Sequence, residues 1–209
     1  MENILISLPI FFFCLVIHEY AHGMMAEKCG DSTARYLGRL TLNPIAHIDL
    51  FGTIILPLIL IMSGSRFVFG WAKPVPINPH NFHNPRWDTV KVGLAGPGAN
   101  IAAALISAGI LHAILAAGMD PGILGGILVM LVVINLVFAF FNLVPVPPLD
   151  GSHVIAGFLP ARMAYTFEST MQRYGIILIF ALMWLGFFER IIFPLAYGVA
   201  YLLLPKGIF

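Results

Sequence analysis

The chain has 209 residues, 59% of them hydrophobic and only 10% charged, with a mean hydropathy of +0.92. A soluble domain carries about 25% charged residues, so this composition excludes a water-facing surface, and a net charge of +1 gives no nucleic-acid partner. The two cysteines, Cys14 and Cys29, form no CxxC pair and read as buried, unpaired thiols rather than a disulfide framework.

Apolar segments that reach or approach the roughly 20 residues needed to cross about 30 Å of hydrocarbon recur along the chain. The first covers about residues 4–27. No basic residue precedes it and Glu2 is acidic, so it reads as a membrane segment rather than a cleaved signal peptide. Next, "STARYLGRLTLNPIAHIDLFG" lacks helical periodicity and alternates in part, which predicts short membrane-associated strands with a turn at Asn43-Pro44. The second apolar stretch, about 52–64, is short and holds Pro57; it could span only if extended to about residue 69. "PVPINPHNFHNP" is too rich in proline for a helix. Segments three and four, about 90–118 and 123–148, are separated by the breakers of "GMDPG". A polar stretch at 159–173 precedes a last apolar block, 175–204, interrupted by Glu189-Arg190. That block predicts two short helices or one span with an interfacial piece. The expected fold is an α-helical polytopic membrane protein of about five to six segments with short strands after the first. It is one domain over 1–209, with its core at about 4–160 and C-terminal membrane segments at 175–204.

Basic residues cluster in particular gaps. Lys28, Arg35 and Arg39 follow segment one, Arg66, Lys73, Arg86 and Lys91 flank segments two and three, and Arg162 and Arg173 follow segment four. The positive-inside rule places these gaps in the cytoplasm and the 118–123 turn outside. That assignment requires 52–64 to re-enter or lie along the interface. Trp71, Trp87 and Trp184 fit interfacial anchoring.

The end of segment one carries "VIHEYAHG". On a helix, His18 and His22 lie one above the other on one face, where two imidazoles can share a tetrahedral zinc. Glu19, beside the first, can act on a water as general base. Seven histidines and five glutamates in 209 residues would produce this HExxH pattern only about 0.006 times per chain by chance, so chemistry is the better account than an interfacial helix end. A catalytic zinc site needs a third protein ligand and keeps one position open. His47 and Asp49, in "AHIDLFG", are candidates. Asp150 is preferred: it closes "FNLVPVPPLDGSHV", where Pro145, Pro147 and Pro148 forbid a continuous helix, on the same side of the bilayer as His22. Broken backbone at that depth needs a protein-lined or water-filled surrounding. His153 reads as a polar helix-start residue or an alternate ligand, and Asn100 as a cavity-facing group or an interhelical hydrogen bond. Gly96 and Gly98 would allow close packing of segment three on the HExxH helix. His80, His83 and His112 read as non-ligands.

Three motifs in order carry a resemblance: HEYAH ending one segment, "GPGAN" opening another and "NLVPVPPLDG" ending a third. Over about residues 10–160 the chain resembles the site-2 protease family of intramembrane zinc metalloproteases, in its short bacterial and archaeal branch without PDZ or CBS domains. The resemblance implies one Zn²⁺ per chain held by His18, His22 and Asp150, with Glu19 as catalytic base. It also implies that Asn142 lies near the active site and helps hold the substrate backbone. The expected substrate is a membrane protein with a transmembrane segment, and the expected location is a prokaryotic inner membrane, crossed several times. The alternative is a non-enzymatic metal-binding membrane protein or metal transporter. A transporter has no need for Glu19 between two ligands, and no internal repeat is visible.

Overall fold

In hydrocarbon there is no water to satisfy backbone N–H and C=O groups, so a chain this apolar must satisfy them within its own segments. The computed structural model describes residues 2–64 and 72–207, with side chains from Ser7, and among these residues every regular element is helical. Helix α1 (Glu2–Lys28) carries the HExxH motif near its C-terminal end. A single turn, α2 (Thr33–Tyr36), and a 3₁₀ turn at Pro44–His47 follow. A π-turn at Leu50–Ile55 runs directly into α3 (Leu56–Met62). After the irregular segment 72–78 and a 3₁₀ turn at Pro79–Asn81 come α4 (Pro85–Ala116) and α5 (Gly122–Asn142). The chain closes with α6 (Asp150–Phe158), α7 (Ala161–Trp184), a π-turn at Phe188–Ile192 and α8 (Phe193–Leu203).

Among the described residues three helices are long and apolar enough to cross a membrane: Ser7–Lys28 of α1, α4 and α5. The pair α7 and α8, bent by 67° at residues 185–187, makes a fourth if taken as one broken span. Helix α4 is the hub, packed against α1, α5 and α6. Helix α8 packs in turn on α5, and small residues of α4 and α8 join the core between these helices. Ala104, Ala108 and Leu111 of α4, Leu128, Val132 and Leu136 of α5, and Ala196 and Ala200 of α8 share one buried cluster. Lipid tails are as apolar as leucine, so such helices associate through close packing, and small residues permit the approach. A second cluster joins Ala26 and Cys29 at the end of α1 to Phe82 and Val92. Both cysteines are buried and free.

One expectation is corrected. Residues 33–50 hold helical turns and no strand. Gly38 turns the chain at φ +65°, and the Asn43 side chain accepts from Ile45 N–H to cap the 3₁₀ turn. A strand needs a neighbour for its ladder, and among the described residues none exists. The alternation in "RYLGRLTL" marks no buried face: Tyr36, Leu37 and Leu42 are all exposed. Most of the polar stretch 159–173 forms the first half of α7.

The apolar run Leu50–Met62 is helical for 13 residues, about 20 Å at 1.5 Å per residue, short of a 30 Å hydrocarbon core. None of the α3 side chains is buried. Residues 65–69 of the second apolar stretch, Arg66 and Trp71 lie outside the described residues.

Candidate metal centre

The helical register of α1 stacks His18 and His22 one turn apart, 5% and 7% exposed, with their rings edge to face at 4.5 Å. Each imidazole is held from behind. His22 Nδ1 lies 2.7 Å from the Val92 carbonyl of α4, and a carbonyl can only accept, so this nitrogen carries the proton. His18 Nδ1 lies 2.7 Å from Asn100 Oδ1, also an acceptor. With both Nδ1 atoms donating, both Nε2 atoms present lone pairs. They face each other at 2.9 Å.

Asp150 completes the group. Its Oδ2 lies 3.1 Å from His18 Nε2 and 3.3 Å from His22 Nε2, and this oxygen is buried with no hydrogen-bond donor. Three electron-rich atoms therefore converge with no proton among them, an arrangement that costs free energy unless a cation occupies the centre. The edges of the triangle, 2.9–3.3 Å, compare with about 3.3 Å between ligands placed roughly 2.0–2.1 Å from a tetrahedral zinc. The residues fit a zinc ion. Among the described residues no other cluster of His, Cys, Asp or Glu could hold a metal.

Glycines and prolines bring the three together. The prolines after α5 end that helix at Asn142, and α6 begins afresh at Asp150. A Cβ on Gly151 would stand 2.2 Å from the Leu143 carbonyl, and one on Gly93 would stand 3.2 Å from the Asp150 carbonyl, so both permit the close seating of α6. Gly96 faces the ligand pair itself: a Cβ there would meet His22 Nε2 at 2.4 Å and His18 Nε2 at 2.7 Å. Gly98 has nothing within 4 Å, so close packing on α1 falls to Gly96 alone.

Glu19, one residue on from His18, lies off the ligand face. Its Oε2 accepts from Val75 N–H at 2.7 Å. The segment 72–78 that supplies this donor is strapped down along its length. Lys73 N–H donates to the His47 carbonyl, Arg39 Nη2 donates to the Lys73 carbonyl at 2.7 Å, and Asn78 N–H donates to Asp31 Oδ2 at 2.6 Å. Asp31, wholly buried, also accepts from Asn81 Nδ2, from Thr33 N–H and from the Thr33 hydroxyl. Burial pushes its carboxyl upward, but these donors outweigh burial and hold it below the usual carboxylate range.

Of the residues singled out in the sequence, His18, His22 and Asp150 meet, and Glu19 stands beside them. His47 does not: it is fully buried and bonds the Thr41 carbonyl through Nε2. Asp49 caps the π-turn by accepting from Gly52 N–H at 2.7 Å. His153 is exposed and outside the cluster, as are His80, His83 and His112. Asn142 is half-buried and donates to the Phe138 carbonyl at 3.1 Å. Asn100 proves to be an interior group rather than a cavity-facing one, 0% exposed. Sequence reading passed over Asn135, also 0% exposed, which bonds Asn100 at 2.7 Å. A lone amide in "LVMLVVINLVF" was the available signal, since a polar group within a span needs a partner. It also passed over Val75.

Residues 116–185 match the family model described as "Peptidase family M50". The chain is 38% identical over 188 residues to YwhC of Bacillus subtilis, named as a candidate zinc metalloprotease, covering 87% of this chain and 80% of that one. It is 28% identical over 189 residues to Rip2 of Mycolicibacterium smegmatis, which bears the same description, covering 88% and 68%. Rip2 of Mycobacterium tuberculosis is 29% identical over 144 residues, 66% of this chain and 51% of its own. No solved structure matches the chain.

Proposed function

The chain belongs to peptidase family M50, and we propose that His18, His22 and Asp150 hold its zinc while Glu19 serves as its general base. It is an intramembrane zinc metalloprotease of the site-2 type. The observation that carries the residue assignment is the triangle of His18 Nε2, His22 Nε2 and Asp150 Oδ2, three buried lone pairs with no donor between them.

Zinc bound there supplies a Lewis acid for the scissile carbonyl and lowers the pKa of the attacking water. The chain's own groups do the rest. Val75 N–H holds Glu19 Oε2, leaving Oε1 to take the proton of the water and return it to the leaving amine. Val92 and Asn100 keep both imidazoles in the tautomer that offers Nε2. Asn142 turns its amide from the Phe138 carbonyl toward the substrate backbone, where it meets the developing oxyanion. Substrates are transmembrane segments of other membrane proteins, locally unwound, because a helix hides its carbonyls in i→i−4 bonds.

The chain crosses a prokaryotic inner membrane several times. Helices α1, α4 and α5 span, α7 and α8 add a fourth and a fifth segment, and Leu50–Met62, which re-enters or lies along the interface, makes a sixth. This keeps Lys28, Arg35, Arg39, Lys73, Arg86, Lys91, Arg162 and Arg173 on the cytoplasmic side. No observation favours metal transport.

The test is incubation of the purified protein with a panel of single-span substrates, with and without a zinc chelator. Glu19→Gln should keep its zinc and lose cleavage by at least about 10²–10⁴-fold. His18→Ala and Asp150→Ala should lose both. Cleavage by Glu19→Gln at the parent rate would overturn the role of Glu19, and full zinc content in His18→Ala would overturn the site.

A further inference from the structure

Behind His18 two asparagines are buried with no exposure at all. An amide can sit in either of two orientations, with its oxygen or its nitrogen toward a given neighbour. For Asn100 the choice matters. With Oδ1 toward His18, the imidazole must carry its proton on Nδ1 and present a bare Nε2 at the metal centre. With the amide turned over, Nδ2 would face the ring, Nδ1 would have to accept, and the proton would move to Nε2. That proton would point into the triangle, where a ligand lone pair is needed.

Two contacts set the orientation. Asn100 Nδ2 donates to the Cys14 carbonyl at 3.0 Å and to Asn135 Oδ1 at 2.7 Å. Turning the amide over would put oxygen against oxygen at both. The orientation of Asn135 is itself fixed, because its Nδ2 donates to the Leu131 carbonyl of its own helix at 2.8 Å. A helix carbonyl cannot become a donor. Every bond therefore donates one way, from His18 through Asn100 and Asn135 to the Leu131 carbonyl, which sets the order. Both amides are 0% exposed.

We propose that Asn135 is a positioning residue of the metalloprotease: by fixing the Asn100 amide it fixes the His18 tautomer that binds zinc. The inference rests on His18 as a zinc ligand. It differs from a purely structural role, in which Asn135 would only join α4 to α5 and its loss would lower stability alone. Outer partners of a ligating histidine govern metal affinity by about 10–100-fold, and Asn135 acts through such a partner.

The experiment uses the full chain in detergent and reads two quantities besides melting temperature. The first is the zinc dissociation constant by chelator competition. The second is the ¹⁵N signature of the histidine rings in the zinc-free protein. The parent should show His18 as the Nδ1–H tautomer. Asn135→Leu, which keeps volume and removes both bonds, should mix the two tautomers and weaken zinc about tenfold. Asn135→Asp should restore both readouts, since a buried acid kept neutral can donate to the Leu131 carbonyl and accept from Asn100. Asn135→Leu with parent zinc affinity, an unmixed tautomer and only a lower melting temperature would make Asn135 a helix-joining group and overturn the proposal. Should that variant not fold, the other measurements decide: an Nε2–H tautomer at His18 in the zinc-free parent, or tenfold weaker zinc in Asn135→Asp, overturns it equally. His18→Ala separates the two levels. If it loses zinc while Asn135→Leu does not, only this inference falls; if it keeps zinc, the site itself is misassigned.

Discussion

Replacing Gly96 with alanine is the sharpest perturbation of the centre that touches no ligand. The added Cβ would lie 2.4 Å from His22 Nε2, 2.6 Å from His18 Cε1 and 2.7 Å from His18 Nε2. Non-bonded heavy atoms settle at about 3.5–4.0 Å, so the rings or the α4 backbone must give by roughly 1 Å. Neither moves freely. The rings are tied through Nδ1 to Val92 and Asn100, both on α4, so retreat of α4 drags the tethers with it. A misplacement of that size costs about 10²-fold in a catalytic geometry, and zinc affinity should fall by a similar factor, roughly 2.7 kcal/mol. Gly98→Ala is the control. Nothing lies within 4 Å of its Cβ, and a helical Gly-to-Ala change gains about 0.5–1 kcal/mol, so zinc binding should be unchanged and melting equal or higher. Chelator competition on both purified variants gives the answer. Parent-like zinc affinity in a folded Gly96→Ala protein would show that the imidazoles are not braced against α4, and the account of the site would fail.

Val75→Pro removes the amide that holds Glu19 Oε2 at a position already flanked by Pro74 and Pro76. Hydrogen bonds to a charged group are worth about 1.5–3 kcal/mol, so kcat should fall roughly tenfold or more with zinc content intact, measured on one substrate at saturation. The anchoring of residues 78–81 by Asp31 should depend on pH. Its carboxyl is held low when folded, so the stabilisation is full above the usual carboxylate range and is lost as pH drops through the lowered value. Hydrogen exchange across residues 72–84 should therefore rise only in strong acid, with no step near the histidine value of about 6.5. Asp31→Asn should open the same segment at neutral pH. Cysteines placed at Lys73 and Arg86 should react with an impermeant reagent from the cytoplasmic side alone; labelling from the other side only would exclude the re-entrant placement of 50–62.

The centre was legible in sequence because its parts are local or carry chemistry found nowhere else in the chain. The spacing of His18 and His22 is fixed by one helical turn, and a carboxylate after three prolines is marked by the backbone it breaks. Helix type and the long apolar segments followed for the same reason: in hydrocarbon a segment must satisfy its own backbone, so composition alone decides it. The strands expected after α1 failed because alternation reports exposure, not pairing, and a ladder needs a partner that a local pattern cannot supply. The start of α7 was not legible, because hydropathy marks where lipid ends, not where a helix ends.

What only the tertiary structure decided are the contacts between distant residues. Gly96 looked like a packing residue and is the wall against which both imidazoles rest. His47 and Asp49 carried ligand chemistry, yet packing turned one toward the Thr41 carbonyl and made the other a cap. Asn100 and Asn135 were ordinary amides in apolar helices until α1, α4 and α5 closed around them. A side chain's type sets what it can donate or accept, and that is written in the sequence; which atom it meets depends on how separate helices pack, and hydrogen-bond direction exists only once they have.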